Sequence, residues 1–248
     1  MRVIQCVCGE RLESDSDDVF GALRAHIDAV HADWKIEDDE LHEALDAWSG
    51  NEPWDGESRP VPGSVEIKPL GVDTLDDFLA FFDRRAFMDN PFWFGCYCIE
   101  PHVGNADRTP AENREDKIGL VRAGTARGFL AFLDGEPVGW CNAAPRALLP
   151  GVLDHILEGT DPDRAEPVGS IACFTIAAPW RGAGVGRNLL EAACDGLRAD
   201  GLPVAEAYPR KGELSQARSY RGPIGMFEAA GFERHAETEK HVIVRKQL

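Results

Sequence analysis

A glycine-rich turn between a buried strand and a strong helix constrains this chain more than any other feature. Residues 169–177 (GSIACFTIA) form an apolar run of strand length, and residues 185–199 carry apolar side chains at helical spacing. The turn between them, RGAGVG at 181–186, has glycine at every second position. Glycine lets the backbone approach a ligand closely, and the start of the helix offers free N–H groups. The sequence therefore predicts a pyrophosphate site at this turn.

Two common phosphate-binding loops do not fit this turn. A Walker loop needs lysine and a hydroxyl residue after its last glycine, whereas Arg187 and Asn188 follow Gly186. A Rossmann fingerprint needs G-x-G-x-x-G spacing early in its domain, and the turn has G-x-G-x-G spacing late in the chain. The pattern that remains is Arg-x-x-Gly-x-Gly.

Strands and helices alternate along residues 64–248. Apolar runs predict strands at 64–70, 204–208 and 242–245, and an Asp-Gly turn predicts a hairpin of 126–133 and 137–143. Helical spacing predicts helices over 74–87, 110–123, 148–159 and 224–230. This alternation predicts a mixed sheet that is covered on both faces.

Four segments occur in the order typical of the GCN5-related N-acetyltransferases, which the chain resembles from residue 65 to its C-terminus. Residues 65–70 resemble the first strand of that family, and residues 129–140 resemble its second and third strands. Residues 176–186 are similar to its fourth strand and pyrophosphate loop, and residues 226–232 to the end of its last helix. The resemblance implies an α/β fold with a mixed, mostly antiparallel sheet, splayed central strands and flanking helices.

The resemblance also implies an acetyl-CoA-dependent N-acetyltransferase, in which a primary amine attacks the thioester directly. Backbone groups of Thr175, Ile176 and Ala177 would bind the pantetheine arm, and Arg187 would add positive charge near the phosphates. The amides that would hold the pyrophosphate belong to Arg181, Gly182, Ala183, Gly184, Val185 and Gly186.

The chain departs from the family at a common position of the catalytic acid. Phe227 stands where the family often has a tyrosine, and phenylalanine cannot donate a proton. Tyr220 is a candidate acid from one or two turns earlier, with packing or hydrogen bonding as its alternative role. Glu206, on the predicted strand 204–208, is a candidate base acting through water, and its alternative role is an edge glutamate facing solvent.

An aromatic segment at residues 92–102 (FWFGCYCIEPH) lies where the family places its acceptor-recognition elements. We therefore expect it to form a wall of the acceptor pocket. Cys96, Cys98 and His102 offer three metal ligands without a fourth. Buried thiols are the favoured interpretation, because free cysteine packs as a small hydrophobe.

The first part of the chain, residues 1–48, is predicted to be a separate α/β module. A linker rich in proline, glycine and polar residues follows at 49–63 and leads into the acetyltransferase-like domain at 64–248. A unit of this size hardly buries enough apolar surface to fold alone, so a structural metal ion is expected to stabilise it.

Four residues of this module have the spacing of a zinc site. Cys6 and Cys8 stand in a turn, and His26 and His31 lie about one and a half turns apart on a predicted helix at 19–32, which is preceded by acidic residues. Two thiolates and two imidazoles complete a tetrahedral structural site for Zn²⁺. The alternative is a helical cap with free thiols and surface histidines.

Charge and composition limit the partners. The net charge is −17, with 43 acidic and 26 basic side chains, and such a surface repels nucleic acid. The acidic, lysine-poor composition is typical of salt-adapted proteins, so a halophilic source is expected. No apolar run reaches the length of a membrane span, and the first residues do not resemble a signal peptide, so a cytoplasmic protein without membrane contact is expected. The odd number of cysteines, seven, argues against a disulfide framework.

Two other functions are compatible with parts of the sequence. The first is a non-catalytic acyl-CoA sensor that docks on a protein partner through the N-terminal module, which is also a candidate homodimer interface. The second is a zinc-finger regulator, which would need a basic face that the charge count does not show. The expected acceptor of the enzyme is a small-molecule or peptide amine.

Overall fold

The computed structural model describes residues 2–14, 19–61, 63–104, 108–160, 162–163, 165–212, 215 and 217–248. The acidic residues 15–18, expected to precede the first helix, lie outside these ranges. The elements in chain order are β1 (Arg2–Gln5), β2 (Arg11–Ser14), α1 (Val19–Val30), α2 (Asp38–Trp48), β3 (Glu66–Pro69), α3 (Leu75–Arg84), α4 (Glu100–Val103), α5 (Pro110–Arg122), β4 (Gly128–Leu133), β5 (Glu136–Pro145), β6 (Val168–Ile176), α6 (Val185–Ala199), β7 (Val204–Ala207), α7 (Ile224–Ala229), β8 (Glu233–Glu237) and β9 (Val242–Gln247).

Seven strands form one mixed sheet in the order β3-β4-β5-β6-β7-β9-β8. Neighbouring strands are antiparallel except for β6 and β7, which run parallel. β1 and β2 form a separate antiparallel hairpin in the N-terminal module. The predicted α/β fold with a mostly antiparallel sheet is confirmed. No helix among the described ranges is both long and apolar enough to span a bilayer.

The Asp134-Gly135 turn joins β4 to β5, as its sequence predicts. Both residues have positive φ, 50° and 83°, which a type I′ hairpin turn requires. The twist of this turn matches the twist of the two strands, and it sets the register that pairs Leu133 with Glu136.

Helices cover both faces of the sheet because successive strand residues point to opposite sides. On β4, Leu130 and Phe132 pack in the cluster that includes α3, whereas Ala131 and Leu133 pack in the cluster that includes α6. Each large apolar side chain buried in this way contributes about 1.5–3 kcal/mol to stability. The two layers cover both faces of the sheet, and the site is built where its central strands β6 and β7 diverge.

One predicted helix takes a different form. In place of a helix over residues 148–159, the chain makes a 3-10 turn at Arg146–Leu148 and a π-helical turn at Val152–Ile156. The reason is close backbone packing. A β-carbon on Gly151 would lie 2.3 Å from the carbonyl oxygen of Glu100, so this segment lies directly against α4.

Among the elements that the sequence analysis did not predict are β8 and α2. β8 is a mostly exposed edge strand. α2 has three acidic residues in its first turn, and the Glu40 carboxylate accepts the backbone N–H of Glu37. The capping residues at the start of α2 therefore predict this helix better than the spacing of its apolar residues does.

The predicted linker at 49–63 has neither helix nor strand in its described residues, but it is not a free tether. Trp54 is 2% exposed, and its carbonyl oxygen accepts the Val3 N–H at 2.9 Å. The Arg59 N–H donates to the carbonyl oxygen of Pro179 at 2.6 Å. The segment therefore packs against both parts of the chain that it joins.

Two glycine substitutions test the close packing beside α4. Gly151→Ala should lower the free energy of unfolding by about 1–3 kcal/mol, because the added methyl group meets a backbone carbonyl. Gly119→Ala on α5 is the matched control, since nothing lies within 4 Å of the added atom. It should raise stability by about 0.5–1 kcal/mol. Denaturant unfolding measures the stability of both variants, provided that the free energy of unfolding depends on denaturant concentration with the same slope in each. Equal stability of the two variants would contradict the packing described.

Candidate functional site

A cleft opens where β6 and β7 diverge. The two strands pair in parallel only from Val168 and Val204 to Ile171 and Ala207. β7 ends there, whereas β6 continues to Ile176, so the second half of β6 borders a cleft on that side. The central strands are therefore splayed, as the sequence analysis expected.

The segment before α7 closes the inner end of this cleft. The Tyr220 carbonyl oxygen accepts the Phe174 N–H at 2.5 Å, and the Arg221 guanidinium donates to the Ala172 carbonyl oxygen at 3.0 Å. These bonds satisfy the edge of β6 that β7 leaves free. The remaining cleft has a volume of about 630 Å³.

The glycine-rich loop borders the cleft with open backbone groups. Gly182 and Gly184 have φ values of 75° and 91°, and an added β-carbon at either would have no atom within 4 Å. The amides of Gly182, Gly184, Val185 and Gly186 donate to no acceptor in the described part of the chain. α6 begins here without a side-chain cap, so free N–H groups and the positive helix end face the cleft. The arrangement suits a phosphate group.

The Arg181 side chain holds the loop in place. Its guanidinium donates to the Ile176 carbonyl oxygen at 2.9 Å and forms a two-pronged ion pair with Asp89, which is fully buried. Sequence analysis did not identify Asp89, because it lies 92 positions before its partner and carries no local motif. Nearby, Arg187 lines the cleft and forms no ion pair with any described residue.

Three residues expected at the cofactor site do not line the cleft. Ala177 is buried, and its N–H donates to the Val138 carbonyl oxygen at 3.0 Å. Val185 points into the core, so that only its amide is available. Ala183 contributes only backbone, with its N–H 3.4 Å from the Trp180 carbonyl oxygen. The lining residues of the expected set are Thr175, Ile176, Arg181, Gly182, Gly184, Gly186 and Arg187.

A second cavity of about 450 Å³ adjoins the cleft. Five aromatic side chains line it, together with the charged side chains Glu100, Arg108 and Arg221; the aromatic ones are Phe87, Phe92, Trp93, Phe94 and Tyr220. The segment 92–102 therefore borders a cavity, and its role in binding the acceptor stays a prediction. The residues that line both this cavity and the cleft are Phe87, Trp93, Thr175 and Tyr220. The two spaces therefore meet around Thr175 and Tyr220.

Tyr220, the candidate acid, stands at this junction. Its ring packs edge-on against Trp93, with centroids 5.0 Å apart, and its hydroxyl accepts a hydrogen bond from Arg210 at 3.3 Å. Arg210 was not identified from the sequence, because only the fold brings it to the tyrosine.

Glu206, the candidate base, lines neither cavity. It is 1% exposed, and its carboxylate accepts hydrogen bonds from Arg146 at 3.0 Å, Tyr208 at 2.7 Å and Arg245 at 2.7 Å. The alternative, a solvent-facing edge glutamate, does not describe it either. Glu206 is the centre of a buried ion-pair network on β7, which lies inside the sheet between β6 and β9.

Cys96 and Cys98 line the second cavity, whereas His102 is buried behind it with its Nε2 3.3 Å from the Asn142 amide. In the described ranges these three residues do not form a group with metal-ligand spacing. Cys96 and Cys98 therefore line a cavity as well as pack against the core, and their interpretation as packing thiols stays a prediction.

Cys6, Cys8, His26 and His31 do come together. One ligand atom of each lies within 4.8 Å of all the others. The Cys6 sulfur lies 3.2 Å from Nε2 of His31, and the Cys8 sulfur lies 3.5 Å from Nε2 of His26. Zn–S bonds of about 2.3 Å and Zn–N bonds of about 2.0 Å place tetrahedral ligands at similar separations. Glu10 faces Nδ1 of His26 at 3.3 Å, as an orienting carboxylate would.

The N-terminal module packs onto the segment that lines both cavities. The Gln5 N–H donates to the Asp89 carbonyl oxygen at 2.8 Å, and the Trp48 indole N–H donates to the Phe87 carbonyl oxygen at 2.5 Å. Trp34, which stacks on His31, also contacts Phe92 edge-on. The module therefore forms part of the support of the site.

Comparisons with known proteins agree with this architecture. The sequence profile of the acetyltransferase (GNAT) family matches residues 92–232. No curated protein sequence matches the chain.

Three solved structures illustrate the similarity. The ribosomal-protein-alanine N-acetyltransferase of Brucella melitensis has 17% identity and a TM-score of 0.46, with 74% of this chain and 99% of that chain covered. An N-acetyltransferase of Staphylococcus aureus Mu50 has 13% identity and a TM-score of 0.47, with 75% and 99% covered. The PaiA N-acetyltransferase of Thermoplasma acidophilum, solved with coenzyme A, has 11% identity and a TM-score of 0.44, with 75% and 99% covered.

The buried network predicts a large stability loss on substitution of Glu206. Glu206→Ala should lower the free energy of unfolding by about 3–5 kcal/mol, because Arg146 keeps its buried charge and loses a partner. Glu237→Ala removes the exposed carboxylate that pairs with Lys211 and serves as the control, with no measurable change expected. Thermal and denaturant unfolding measure both variants. Equal stability of the two would contradict the network.

Proposed function

The chain belongs to the acetyltransferase (GNAT) family and is an acyltransferase that uses acetyl-CoA, and we propose that it acetylates a primary amine by direct attack on the thioester. The observation that carries this proposal is the junction of two cavities at Thr175 and Tyr220. One cavity has free backbone amides suited to the cofactor, and the other has an aromatic wall suited to an acceptor. Direct transfer needs both partners at a single point.

On the cofactor side, the glycine-rich loop is proposed to bind the pyrophosphate of acetyl-CoA. Several adjacent N–H groups converge there, and the N-terminus of α6 adds a positive dipole end. Arg187, which has no carboxylate partner in the described ranges, supplies a full positive charge. Thr175 and Ile176, at the end of β6, line the cleft between this loop and the second cavity, and they mark the proposed path of the pantetheine arm.

On the acceptor side, the aromatic wall suits an amine on an apolar or aromatic stem. A cationic ammonium group is attracted to the faces of aromatic rings, and the stem gains from burial. The proposed acceptor is a small-molecule or peptide amine of about the size of this cavity.

Tyr220 is proposed as the general acid that protonates the departing CoA thiolate. It stands at the junction of the cavities, where the leaving sulfur must lie. The hydrogen bond from Arg210 fixes the direction of the hydroxyl. Phe227, at the family's usual position of this acid, is fully buried in the core.

The N-terminal cluster is proposed to hold a structural zinc ion through Cys6, Cys8, His26 and His31. The donor set and its spacing fit Zn²⁺, and four protein ligands leave no open position for catalysis. Bound metal would supply folding energy to a module with a small core. Because the module packs against the segment 87–92, it would also stabilise the wall of both cavities.

The rival function, a CoA sensor that docks through the module, has less support. Gln5, Trp34 and Trp48 use their surface to contact the catalytic part of the same chain.

A coupled assay tests the proposed reaction. With acetyl-CoA and a panel of aliphatic and aromatic primary amines, the protein should release CoA thiol and form N-acetyl product, verified by mass spectrometry. Gly184→Asp should abolish acetyl-CoA binding, because a carboxylate would stand where pyrophosphate binds. Gly201→Asp is the matched control, since Gly201 has a similar φ of 78° and open space but lies at the far end of α6. Calorimetry showing equal affinity in both variants would contradict the loop assignment.

Metal analysis tests the proposed zinc site. Protein purified without chelator should contain about one zinc per chain, and His31→Ala should lose it, whereas His235→Ala on the exposed strand β8 should keep it. Chelator should lower the melting temperature of the wild type and of His235→Ala only. Wild-type protein without zinc would contradict the proposal.

A further inference from the structure

A buried lysine without a carboxylate partner lies beneath the acceptor-side cavity. Lys117 is 0% exposed, and its Nζ donates to the Cys98 carbonyl oxygen at 3.0 Å. Its other neighbours are the rings of Phe78 and Trp140, at 5.7 and 5.9 Å from the ring centroids. No described carboxylate forms an ion pair with it. A buried ammonium without a counter-charge is costly, so its surroundings must contain an anion or the group must lose its proton.

The Cys98 sulfur is the group placed to supply that anion. Burial raises the pKa of Cys98, but the neighbouring Cys173, the charge of Lys117 and the Asn142 amide outweigh it and bring the pKa to about 6. The Asn142 amide lies 3.4 Å from the sulfur. Burial lowers the pKa of Lys117, and the charge of Cys98 opposes that shift. A thiolate at Cys98 and an ammonium at Lys117 therefore stabilise each other.

The other titratable groups around this sulfur stay neutral. Burial raises the pKa of Cys96, on the same loop, to about 12, and it raises the pKa of Cys141 on β5. The hydrogen bond to Cys98 and burial raise the pKa of Cys173 on β6. Burial and the charge of Lys117 lower the pKa of His102 on α4 to about 3. Within this cluster, Cys98 and Lys117 are thus the two groups whose charges can balance each other.

The backbone holds Cys98 at this position in an uncommon conformation. Tyr97 and Cys98 have φ values of 40° and 48°, in the left-handed region that side-chain-bearing residues rarely adopt. The Tyr97 hydroxyl is bonded to Asp83 at 2.5 Å, and the Cys98 N–H donates to the Cys96 sulfur at 3.4 Å. Such conformations cost about 1–3 kcal/mol and persist where the surroundings impose them.

Cys98 lines the acceptor-side cavity together with Cys173 and Thr175, where that cavity meets the cofactor cleft. Glu100, the described carboxylate in the cavity wall, has both oxygens 3.3 Å from Arg221. Glu100 is therefore already paired with an arginine. Among the described residues of the cavity wall, the Cys98 sulfur is the candidate base that forms no contact with an arginine.

We propose that Cys98, balanced by Lys117, is the general base that deprotonates the acceptor ammonium, and this inference rests on the proposed N-acetyl transfer. One proton moves from the ammonium nitrogen to the Cys98 sulfur. The neutral amine then forms a bond to the thioester carbonyl carbon, and the carbon–sulfur bond to CoA breaks. The CoA thiolate takes the Tyr220 proton, the second N–H proton returns to Tyr220, and Cys98 releases its proton to water. Lys117 is a positioning residue that keeps the thiolate charged.

The proposal requires that activity falls at low pH. A base must be unprotonated to act, so kcat/KM should decrease below an apparent pKa of about 6 in the wild type. Lys117→Met keeps the chain length and removes the charge, so the pKa of Cys98 should rise and the acidic limb should move to higher pH.

Alkylation of the resting protein provides the first measurement and needs no acceptor. Iodoacetamide labelling of Cys98, quantified by peptide mass mapping across pH, should rise with a midpoint near 6 and shift upward in Lys117→Met. The second measurement uses the best amine from the panel. Cys98→Ser should lower kcat by about two orders of magnitude and lose the acidic limb. Cys194→Ser, a buried thiol on the opposite face of the sheet, should retain that limb.

Different outcomes separate failure of this proposal from failure of the proposed function. A Cys98 midpoint above 8, or an unshifted acidic limb in Lys117→Met, would overturn the base assignment while acetylation stands. Acetyl transfer from acetyl-CoA to Cys98 without an amine would also overturn it, in favour of a covalent intermediate. If the wild type acetylates no amine, the proposed function fails and the base assignment with it, whereas the alkylation profile still decides whether the ion pair exists.

Discussion

The ion pair between Arg181 and Asp89 connects all the parts of the site. Arg181 begins the glycine-rich loop and also binds the last carbonyl of β6, so it fixes the loop relative to the open strand edge. Asp89 belongs to the segment that lines both cavities, and its backbone carbonyl receives the first strand of the N-terminal module. A buried carboxylate that loses its arginine leaves an uncompensated charge, so this contact is costly to break. One ion pair therefore connects the glycine-rich loop, the segment that lines both cavities and the N-terminal module.

Much of the fold was predictable because its signals are local. The Asp134-Gly135 turn, the strand before the loop and α6 are each marked by a short pattern of glycine or apolar spacing. The alternation of these elements then limited the sheet to a few topologies. The prediction of a regular helix over 148–159 was wrong, because contact with α4 shapes the backbone there. The local sequence pattern does not show that contact.

The site was predictable only where a residue acts through the backbone or through a family motif. The loop glycines belong to this class, as do the four clustered Cys and His residues of the module. Glu206 was misjudged because period two indicates which residues share a strand face, but not whether arginines from distant segments enclose one of them. Asp89, Arg210 and Lys117 carry no motif, and they become meaningful only when the fold places them beside Arg181, Tyr220 and Cys98.

The docking of β1 onto Asp89 has a consequence for synthesis of the chain. The four clustered ligands lie within the first 31 residues, so they leave the ribosome well before the rest of the chain. The surface that β1 contacts includes Asp89. Asp89 is held by its ion pair with Arg181, which is translated much later. At about 5–20 residues per second, the ribosome adds Arg181 several seconds after it has completed the N-terminal residues. During that interval Trp48 and β1 lack the complete surface that they contact in the folded chain.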